Sequence, residues 1–428
     1  MLNSDEESGG GELTTRYERV RALTEELAAP LSPEDQMVQS MPDVSPTKWH
    51  RGHTSWFFET FLLQPGLDRY EPFHPAFAYI FNSYYETVGA RHPRAERGMI
   101  SRPGTAEVAD YRRHVDAAMA ELLNSGLGPE ALELVELGCN HEEQHQELLL
   151  MDIKHVLSRN PLRPAYLRSP GPTPSTAPKT KWIEHQGGLV EIGYDGQGFA
   201  FDNESPRHQV LVTPYALADQ PVTCGDWLAF MEDDGYSRPE FWLSDGWAMV
   251  QRDRWQAPLY WTHNGEVAGG GSGGHPSGWQ TFTLGGERPV DPAEPVCHVS
   301  YYEADAFAHW TGDRLPTESE WEALAVDHLA EEHSLDLSSL HPPVTTGKGA
   351  GFFGGVWEWT SSAYCPYPGF RAPSGAVGEY NGKFMVNQYV LRGGSCVTPR
   401  GHARSSYRNF FPASARWAFS GVRLARDL

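Results

Sequence analysis

The sequence has few cysteines, and their arrangement excludes a disulfide scaffold. The five are scattered, include no CxxC pair, and are Cys139, Cys224, Cys297, Cys365 and Cys396. An odd, scattered set also argues against a zinc ribbon, because both frameworks need closely spaced or evenly numbered cysteines. The pattern favours a reducing compartment, so we expect a cytoplasmic protein.

The sequence also lacks a long apolar run, a basic N-terminus and an excess of positive charge. No segment reaches the ~20 apolar residues that span a membrane. The opening MLNSDEESGGGELTT has neither the basic start nor the apolar core of a signal peptide. The formal net charge is −22, which repels nucleic-acid phosphates. We therefore expect small-molecule substrates and no nucleic-acid or membrane partner.

The chain changes character near its middle. Its 428 residues are too many for one hydrophobic core, which favours more than one domain. Residues 13–167 show helical periodicity, and four helices with apolar faces predict an antiparallel bundle. Residues 168–182 are rich in Pro, Ser and Thr, as linkers are. Residues 183–428 alternate short β-like runs with Gly/Pro turns, which predicts an irregular α+β domain. Within it, GEVAGGGSGGHPSGW (265–279) is predicted to be a flexible insertion.

Start signals indicate individual helices within the first part. In SPEDQMVQSM, Ser32 is suited to the N-cap and Pro33 to the first helical position. TKWHRGHTSWFFETFLL and ADYRRHVDAAMAELL have the apolar spacing of amphipathic helices. Pro129 begins a long helix that is predicted to continue to about Leu157.

Two histidines interrupt the apolar stripe of that long helix, in NHEEQHQELLL. His141 and His145 are four residues apart, so both imidazoles lie on one helix face and can meet one ion. Glu142 and Glu143 are interpreted as a solvated flank, with the alternative that one of them supports a metal ligand. An HxxxH pair occurs often by chance, and histidines without a metal are the competing interpretation.

A third ligand would have to come from another helix, because open catalytic metal sites usually hold three protein ligands. WHRGHTSWFFE supplies His50 and His53, three residues apart among aromatic residues. Their spacing does not decide which of the two is the ligand. Three neutral imidazoles suit ferrous iron that must also bind O2 and a substrate, and they suit zinc as well.

These motifs together resemble a known enzyme family, the ergothioneine-biosynthesis sulfoxide synthases, or hercynine oxygenases. KWHRGHTSWFFE and NHEEQHQE are similar to the DinB-like bundle of that family. PVCHVSYYEADAFAHWTGDRLPTESEWEAL, GGVWEWTSS, YVLRGGSC and GVRLAR are similar to the C-type-lectin-like fold shared with formylglycine-generating enzymes. The resemblance covers nearly the whole chain. It implies a multidomain α and α+β protein: a DinB-like four-helix bundle at 13–167, and a lectin-like domain with little regular structure at 183–428 that closes the active site.

The resemblance also implies a reaction and a cofactor, Fe(2+). A non-haem iron(II) enzyme would join a thiol to the imidazole C2 of hercynine (Nα,Nα,Nα-trimethylhistidine), using O2, to give a sulfoxide. The implied iron ligands are His53, His141 and His145, which leaves His50 without a role. The thiol would bind as its thiolate, the form of sulfur that ligates metals.

The family pattern further implies substrate-binding and proton-transferring residues. Tyr85 is the first candidate and Tyr84 the second for a phenol that passes a proton. Arginine suits forked carboxylate recognition, and an aromatic face attracts a quaternary ammonium. The implied substrate-binding residues are Arg94 and Arg97 for the carboxylate of the thiol, and Gln144, Tyr380 and Trp417 for hercynine.

Two positions depart from the pattern of family members that use γ-glutamylcysteine. Those members carry an acidic residue directly after the tryptophan that matches Trp417, and here the position is Ala418. They place a catalytic tyrosine three residues before the one that matches Tyr380, and here the position is Val377. Both departures favour cysteine as the thiol donor and Tyr85 as the phenol.

Three other functions fit parts of the sequence. An ovothiol- or selenoneine-type synthase would use the same iron site. A formylglycine-generating oxidase needs a cysteine pair for copper, but the partner of Cys396 would fall near Arg400 or Arg404, where there is no cysteine. A non-catalytic DinB-like protein that binds zinc is the alternative outside enzymes.

Overall fold

The computed structural model divides the chain into two compact units. The first unit comprises Met1–Asn160 and Pro373–Tyr380, and the second comprises Pro161–Ala372 and Asn381–Leu428. The residues that the structure describes are 4–168, 176, 179–263, 278–326, 328, 334–344 and 351–428. Most of the predicted linker at 168–182 and nearly all of the predicted insertion at 265–279 lie outside the described residues.

The first unit is helical. The α-helices are α1 (Ser4–Ala28), α2 (Thr47–Phe58), α3 (Gln64–Gly66), α4 (Phe77–Ile80), α5 (Thr105–Asn124) and α6 (Pro129–Arg159). Helix α1 packs against α6, and α2 packs against both α5 and α6, so the predicted helical bundle is confirmed.

The amphipathic pattern of α5 sets how this helix packs. The four apolar residues at helical spacing are all buried: Tyr111, Val115, Met119 and Leu122. Each buried side chain of this size contributes about 1.5–3 kcal/mol relative to an exposed one. The stripe therefore orients α5 toward the interior of the bundle, as the periodicity predicts.

The helix predicted in SPEDQMVQSM is reduced to a single 3-10 turn, Asp35–Met37. Ser32 Oγ accepts a hydrogen bond from the Asp35 N–H, and Asp35 Oδ2 accepts one from the Ser32 N–H, both at 3.1 Å. These side chains bond the local backbone in place of a longer helix, which is how Ser and Asp favour turns. The prediction of a full helix there was wrong.

Two glycines allow close packing around the helices that carry the histidines. A Cβ on Gly138 of α6 would lie 2.5 Å from Cε1 of Phe58 on α2, and a Cβ on Gly52 of α2 would lie 2.2 Å from Cε1 of Phe81, which follows α4. Neither distance leaves room for a side chain, because interiors are close-packed. After α2 the chain continues into a π-helical turn, Glu59–Leu63, a geometry that is frequent at functional sites.

The second unit combines short helices with small sheets. Its described helices are α7 (Cys224–Glu232), α8 (Ser244–Asp253), α9 (Tyr301–Thr311) and α10 (Glu318–Ala325). Its described strands are β1 (Trp182–His185), β2 (Gly188–Ile192), β3 (His208–Val212), β4 (Tyr215–Ala218), β5 (Trp261–His263), β6 (Trp279–Thr283), β7 (Gly286–Pro289), β8 (Trp357–Ala363), β9 (Gln388–Arg392), β10 (Asn409–Pro412), β11 (Ser420–Gly421) and β12 (Ala425–Asp427). The sheet orders are β1-β4-β12, β2-β3, β5-β6-β7 and β10-β9-β8-β11, with β11 parallel to β8.

Side-chain caps begin three of these short helices. Thr317 Oγ1 accepts from the Glu320 N–H, and the Glu320 carboxylate accepts from the Thr317 N–H, which forms a capping box for α10. The same reciprocal pairs begin α7 and α9. Such caps compensate for helix length, since an isolated helix of this size is marginal. Among the described helices, none has the length and apolar character that crossing a bilayer requires.

Candidate metal centre

Three histidines from α2 and α6 converge in the first unit. One ring nitrogen of each of His53, His141 and His145 lies within 4.8 Å of those of the other two, and Nε2 of His53 lies 3.2 Å from Nε2 of His141. Metal–imidazole distances are about 2.0–2.1 Å, so one ion can reach all three nitrogens after small adjustments. His53 and His141 are buried, and His145 is partly buried.

Aromatic stacking orients His53. Its ring lies between the indoles of Trp49 and Trp56, with centroid distances of 4.6 and 5.6 Å and interplanar angles of 14° and 15°. Residues four before and three after a helical position share its face, which explains the sandwich. The Nδ1 of His53 donates to the Phe81 carbonyl at 2.6 Å. The Nε2 lone pair of His53 therefore faces the other two histidines.

His50 contacts the same cluster, although the sequence left it without a role. Its Nδ1 lies 2.9 Å from Nδ1 of His145, and its Nε2 lies 3.1 Å from Oδ2 of Asp152. His50 and Asp152 are both buried. The i, i+3 spacing of His50 and His53 on one helix is the signal that points to a shared location.

The imidazoles are held in the neutral form that metals bind. Burial lowers the pKa of His141 to about 3. Burial, followed by the charge of His141, lowers the pKa of both His53 and His145 well below the usual value. Neutral imidazole is the ligand form, so the three donors fit a metal ion without first losing protons.

Glu142 and Glu143 are buried, and their interpretation as a solvated flank was wrong. Glu142 accepts hydrogen bonds from Arg21 Nη1 at 2.8 Å and from Arg112 Nη2 at 2.9 Å. Burial by itself would raise the pKa of the Glu142 carboxyl. The two guanidinium groups outweigh the effect of burial and lower this pKa to about 2. Glu143 pairs with Arg16 at 3.0 Å. These pairs fasten α6 to α1 and α5, so they help to set the rotation that turns His141 and His145 inward.

Arg94 and Arg97 lie on a 3-10 helix, Arg94–Met99, in the first unit. Arg97 is buried, lies 3.3 Å above the Trp49 ring, and donates to the hydroxyls of Ser45 and Ser83. Among the described residues, no carboxylate forms an ion pair with it. Burial, followed by the charge of Arg94, lowers the pKa of Arg97 well below its usual value. Since arginine stays protonated in proteins, an anionic ligand would relieve this buried charge.

The segment Pro373–Tyr380 belongs to the first unit and brings Tyr380 to the cluster. The Tyr380 hydroxyl donates to Oε1 of Gln144, and its ring lies 5.6 Å from that of His141. The carboxylate of Glu379 accepts from the backbone N–H of Glu86 at 3.1 Å and of Thr87 at 2.9 Å. These bonds anchor the segment beside the loop that carries Tyr84 and Tyr85, a role that no local sequence signal indicated.

Tyr85 is fully buried, and Tyr84 lies between it and Tyr380. The Tyr84 ring stacks on Tyr85 at 4.7 Å and lies 6.2 Å from the Tyr380 ring. Burial, followed by the proximity of Tyr84, raises the pKa of Tyr85 well above its usual value. Its phenol therefore stays protonated and can serve as a proton donor.

Trp417 and Ala418 lie in the second unit. The Trp417 ring packs 5.8 Å from that of Phe411, and Ala418 is buried. The contribution of Trp417 to hercynine binding stays a prediction. All five cysteines are free thiols, Cys365 exposed and the others buried.

Comparisons with known proteins agree with this architecture. The DinB superfamily matches residues 16–149, and the sulfatase-modifying factor enzyme 1-like domain matches residues 168–332 and 349–428. The chain is 31% identical to the hercynine oxygenase of Mycolicibacterium thermoresistibile, over 90% of this chain and 88% of that protein. It is 30% identical to the hercynine oxygenase of Mycolicibacterium smegmatis, over 91% of this chain and 93% of that protein. A segment covering 54% of this chain is 27% identical to ergothioneine biosynthesis protein 1 of Schizosaccharomyces pombe, of which it spans 28%.

A helical DinB-type unit with a histidine cluster, followed by a sulfatase-modifying-factor-type domain, defines the class of protein. Within that class, the extent and level of the identities decide the family. The chain belongs to the hercynine oxygenase family. The resemblance noted in the sequence is thereby confirmed, as is the fold class.

Proposed function

We propose that the chain is a non-haem iron(II) sulfoxide synthase of ergothioneine biosynthesis, with hercynine, a thiol and O2 as substrates. The single observation that carries the proposal is the convergence of His53, His141 and His145. Three neutral imidazoles suit a metal that must bind exogenous ligands, because a set of three protein ligands leaves coordination positions open. Full-length relatives that are named hercynine oxygenases support the substrate class.

The proposed reaction consumes one O2. The C2–H bond of the hercynine imidazole and the S–H bond of the thiol break, and a C2–S bond and an S=O bond form. The two hydrogens and the second oxygen atom leave as water, so O2 takes up the four electrons lost in forming the sulfoxide. Ferrous iron, held by the three histidines, supplies the redox chemistry that O2 and the thiol require.

The protein's own contribution is mainly to hold the two organic substrates. Arg97, which is buried and forms no ion pair with a carboxylate of the described residues, binds the carboxylate of the thiol together with Arg94. Gln144 and Tyr380 bind hercynine, and Trp417 contacts its trimethylammonium group. Holding C2 next to the sulfur removes much of the entropic barrier to their reaction.

A proton donor completes the proposed site. Tyr85 is assigned this role on the family pattern, with Tyr84 as the second candidate, and burial keeps the Tyr85 phenol in the protonated form. The surrounding aromatic rings, including Trp56 and Phe61, keep bulk water away from the phenol.

Cysteine is the proposed thiol donor, with γ-glutamylcysteine as the alternative. Ala418 and Val377 carry neither the acidic side chain nor the phenol that the pattern for γ-glutamylcysteine requires. The proposed domain division assigns the metal ligands to residues 13–167 and Trp417 to residues 183–428. The cytoplasm is the proposed location, because the five scattered thiols suit a reducing compartment.

The proposal is tested by anaerobic loading with Fe²⁺, addition of hercynine with cysteine or γ-glutamylcysteine, and exposure to O2. Mass spectrometry should detect a hercynyl sulfoxide conjugate, with cysteine the better donor. Protein loaded with Zn²⁺ is the matched control and should give no product. Equal product from the zinc form, or no O2 consumption by the iron form, would contradict the proposal.

A further inference from the structure

The structure links one histidine of the cluster to a buried carboxylate through a second histidine. We propose that His50 and Asp152 form a positioning relay that fixes the tautomer and orientation of His145 for metal binding. The inference rests on the proposed function, because it presupposes a metal ion on the three histidines. It concerns residues for which neither the sequence motifs nor the proposed reaction has a use.

With His50 in its neutral form, the hydrogen bonds of the relay leave one consistent arrangement of protons. Asp152 Oδ2 is an acceptor, so the proton of His50 lies on Nε2. His50 Nδ1 then has a lone pair and accepts from Nδ1–H of His145 at 2.9 Å. The proton of His145 is thus fixed on Nδ1, and its Nε2 lone pair is left for a metal. The partner of the distal nitrogen sets the tautomer of a metal-ligating histidine.

Asp152 is suited to polarise this chain because its carboxylate bonds His50 directly, and the buried Arg97 interacts with it electrostatically without forming an ion pair. Asp152 is buried, and its Oδ2 also accepts from the Ser45 N–H at 2.7 Å, which holds the carboxylate in place. Among the described residues, no arginine or lysine forms an ion pair with it. Glu142, on the same helix, is by contrast bonded by both Arg21 and Arg112. The negative charge of Asp152 therefore acts along the hydrogen bonds toward His145 and makes Nε2 of His145 a stronger metal ligand.

The three histidines of the cluster are held in different ways. His53 is stacked between two indoles and donates to a backbone carbonyl. His141 is buried against Phe57, with ring centroids 4.7 Å apart. The His145 ring contacts those of His53 and His141, each with centroids 4.6 Å apart, and its Nδ1 bonds His50. The relay thus supplies the hydrogen bond that orients this ligand.

The test measures Co²⁺ affinity of the full chain by visible absorption, without hercynine, thiol or O2. His50→Leu removes both hydrogen bonds at similar volume, and Asp152→Ala removes the carboxylate. His50→Gln is the conservative variant, because its amide oxygen can accept from His145 while its amide nitrogen donates to Asp152. His155→Leu is the control, since His155 is a buried imidazole on the same helix that bonds Ser40.

We expect His50→Leu and Asp152→Ala to weaken Co²⁺ binding about 10–100-fold, the usual effect of losing a partner behind a ligand. His50→Gln should bind within ~3-fold of wild type. Equal loss in His50→Leu and His50→Gln would overturn the relay, because it would indicate packing alone. Unchanged affinity in His50→Leu would overturn it as well. Thermal unfolding of the metal-free forms identifies any variant that fails to fold. If Asp152→Ala fails, the difference in Co²⁺ affinity between His50→Leu and His50→Gln tests the relay by itself.

The two proposals fail in distinguishable ways. A wild-type chain that binds no metal at the three histidines contradicts the proposed function itself. A chain that binds Co²⁺ through the relay but makes no hercynyl sulfoxide contradicts the proposed reaction and leaves the relay standing.

Discussion

Both units contain buried ion pairs, such as Glu142 with Arg21 and Arg112 in the first, but among the described residues only the first unit holds a cluster of potential metal ligands. In the second unit, Arg423 and Glu358 are both fully buried and form two hydrogen bonds of 2.7 Å with each other. Arg408 bonds both oxygens of Glu318, at 2.9 and 3.0 Å. In the first unit, the cluster of His53, His141 and His145 has no opposite charge among its members and is held neutral. A buried arginine–glutamate pair neutralises its own charges (a self-neutralising pair) and stabilises a loop-rich fold. Neutral imidazole nitrogens that face one another are instead suited to binding an added cation.

The largest expected effect comes from removing a histidine of the cluster in the first unit. His141→Ala or His145→Ala should weaken Fe²⁺ binding by at least ~100-fold, because a ligand contributes more than the partner behind it. Sulfoxide formation should fall below detection. Iron content after anaerobic loading and desalting measures the first effect, and mass spectrometry the second. His309→Ala, an exposed histidine of α9, is the control; stoichiometric iron in His141→Ala would refute the assignment.

The second prediction breaks a self-neutralising pair. Arg423→Met should destabilise the second unit by about 3–5 kcal/mol, because it leaves the Glu358 carboxylate buried and uncompensated. Urea unfolding of the full chain measures the free energy. Arg252→Met removes an arginine from the exposed pair with Asp253 and should cost less than ~1 kcal/mol. Similar losses in both variants would show that burial of the pair has no special importance.

The third prediction concerns Arg97, a buried cation that lacks a carboxylate partner among the described residues. Arg97→Leu should raise KM for the thiol by about 10–100-fold, since a charged hydrogen bond contributes about 1.5–3 kcal/mol. KM for hercynine should change much less, and steady-state kinetics with each substrate varied separates the two. Arg91→Leu is the matched control, because Arg91 is exposed and pairs with Glu86. An equal rise in both KM values would contradict a specific role.

The smallest expected effect is at Glu379. Glu379→Ala removes the acceptor for the N–H groups of Glu86 and Thr87, so the segment that carries Tyr380 should lose its anchor. We expect KM for hercynine to rise roughly 3–10-fold, as loss of about one or two hydrogen bonds would give. Steady-state kinetics at saturating thiol checks this, with the exposed Glu133→Ala as control. No change would indicate that Gln144 alone holds Tyr380.

Local spacing predicted the parts of the site that depend on local geometry. His141 and His145 were placed together because the four-residue period of a helix fixes their relation. The burial of α5 followed from its apolar stripe in the same way. The family pattern, in turn, singled out His53 on α2, and the structure brings it to the other two.

Long-range partners are what the sequence could not indicate. Glu142 was assigned to solvent because nothing near it in sequence shows that Arg21, 121 residues away, neutralises it. Tyr380 and Gln144 are 236 residues apart, and only the fold brings them together. His50 was left without a role because spacing alone does not distinguish a ligand from the partner of a ligand.

The central claim is that one ferrous ion is held by three imidazoles of the first unit. Anomalous X-ray diffraction at the iron edge, on crystals of the anaerobically loaded full chain, tests it directly. We predict one iron peak bonded by the Nε2 atoms of His53, His141 and His145. A peak held by other residues, or none within bonding distance of these three nitrogens, would contradict the account.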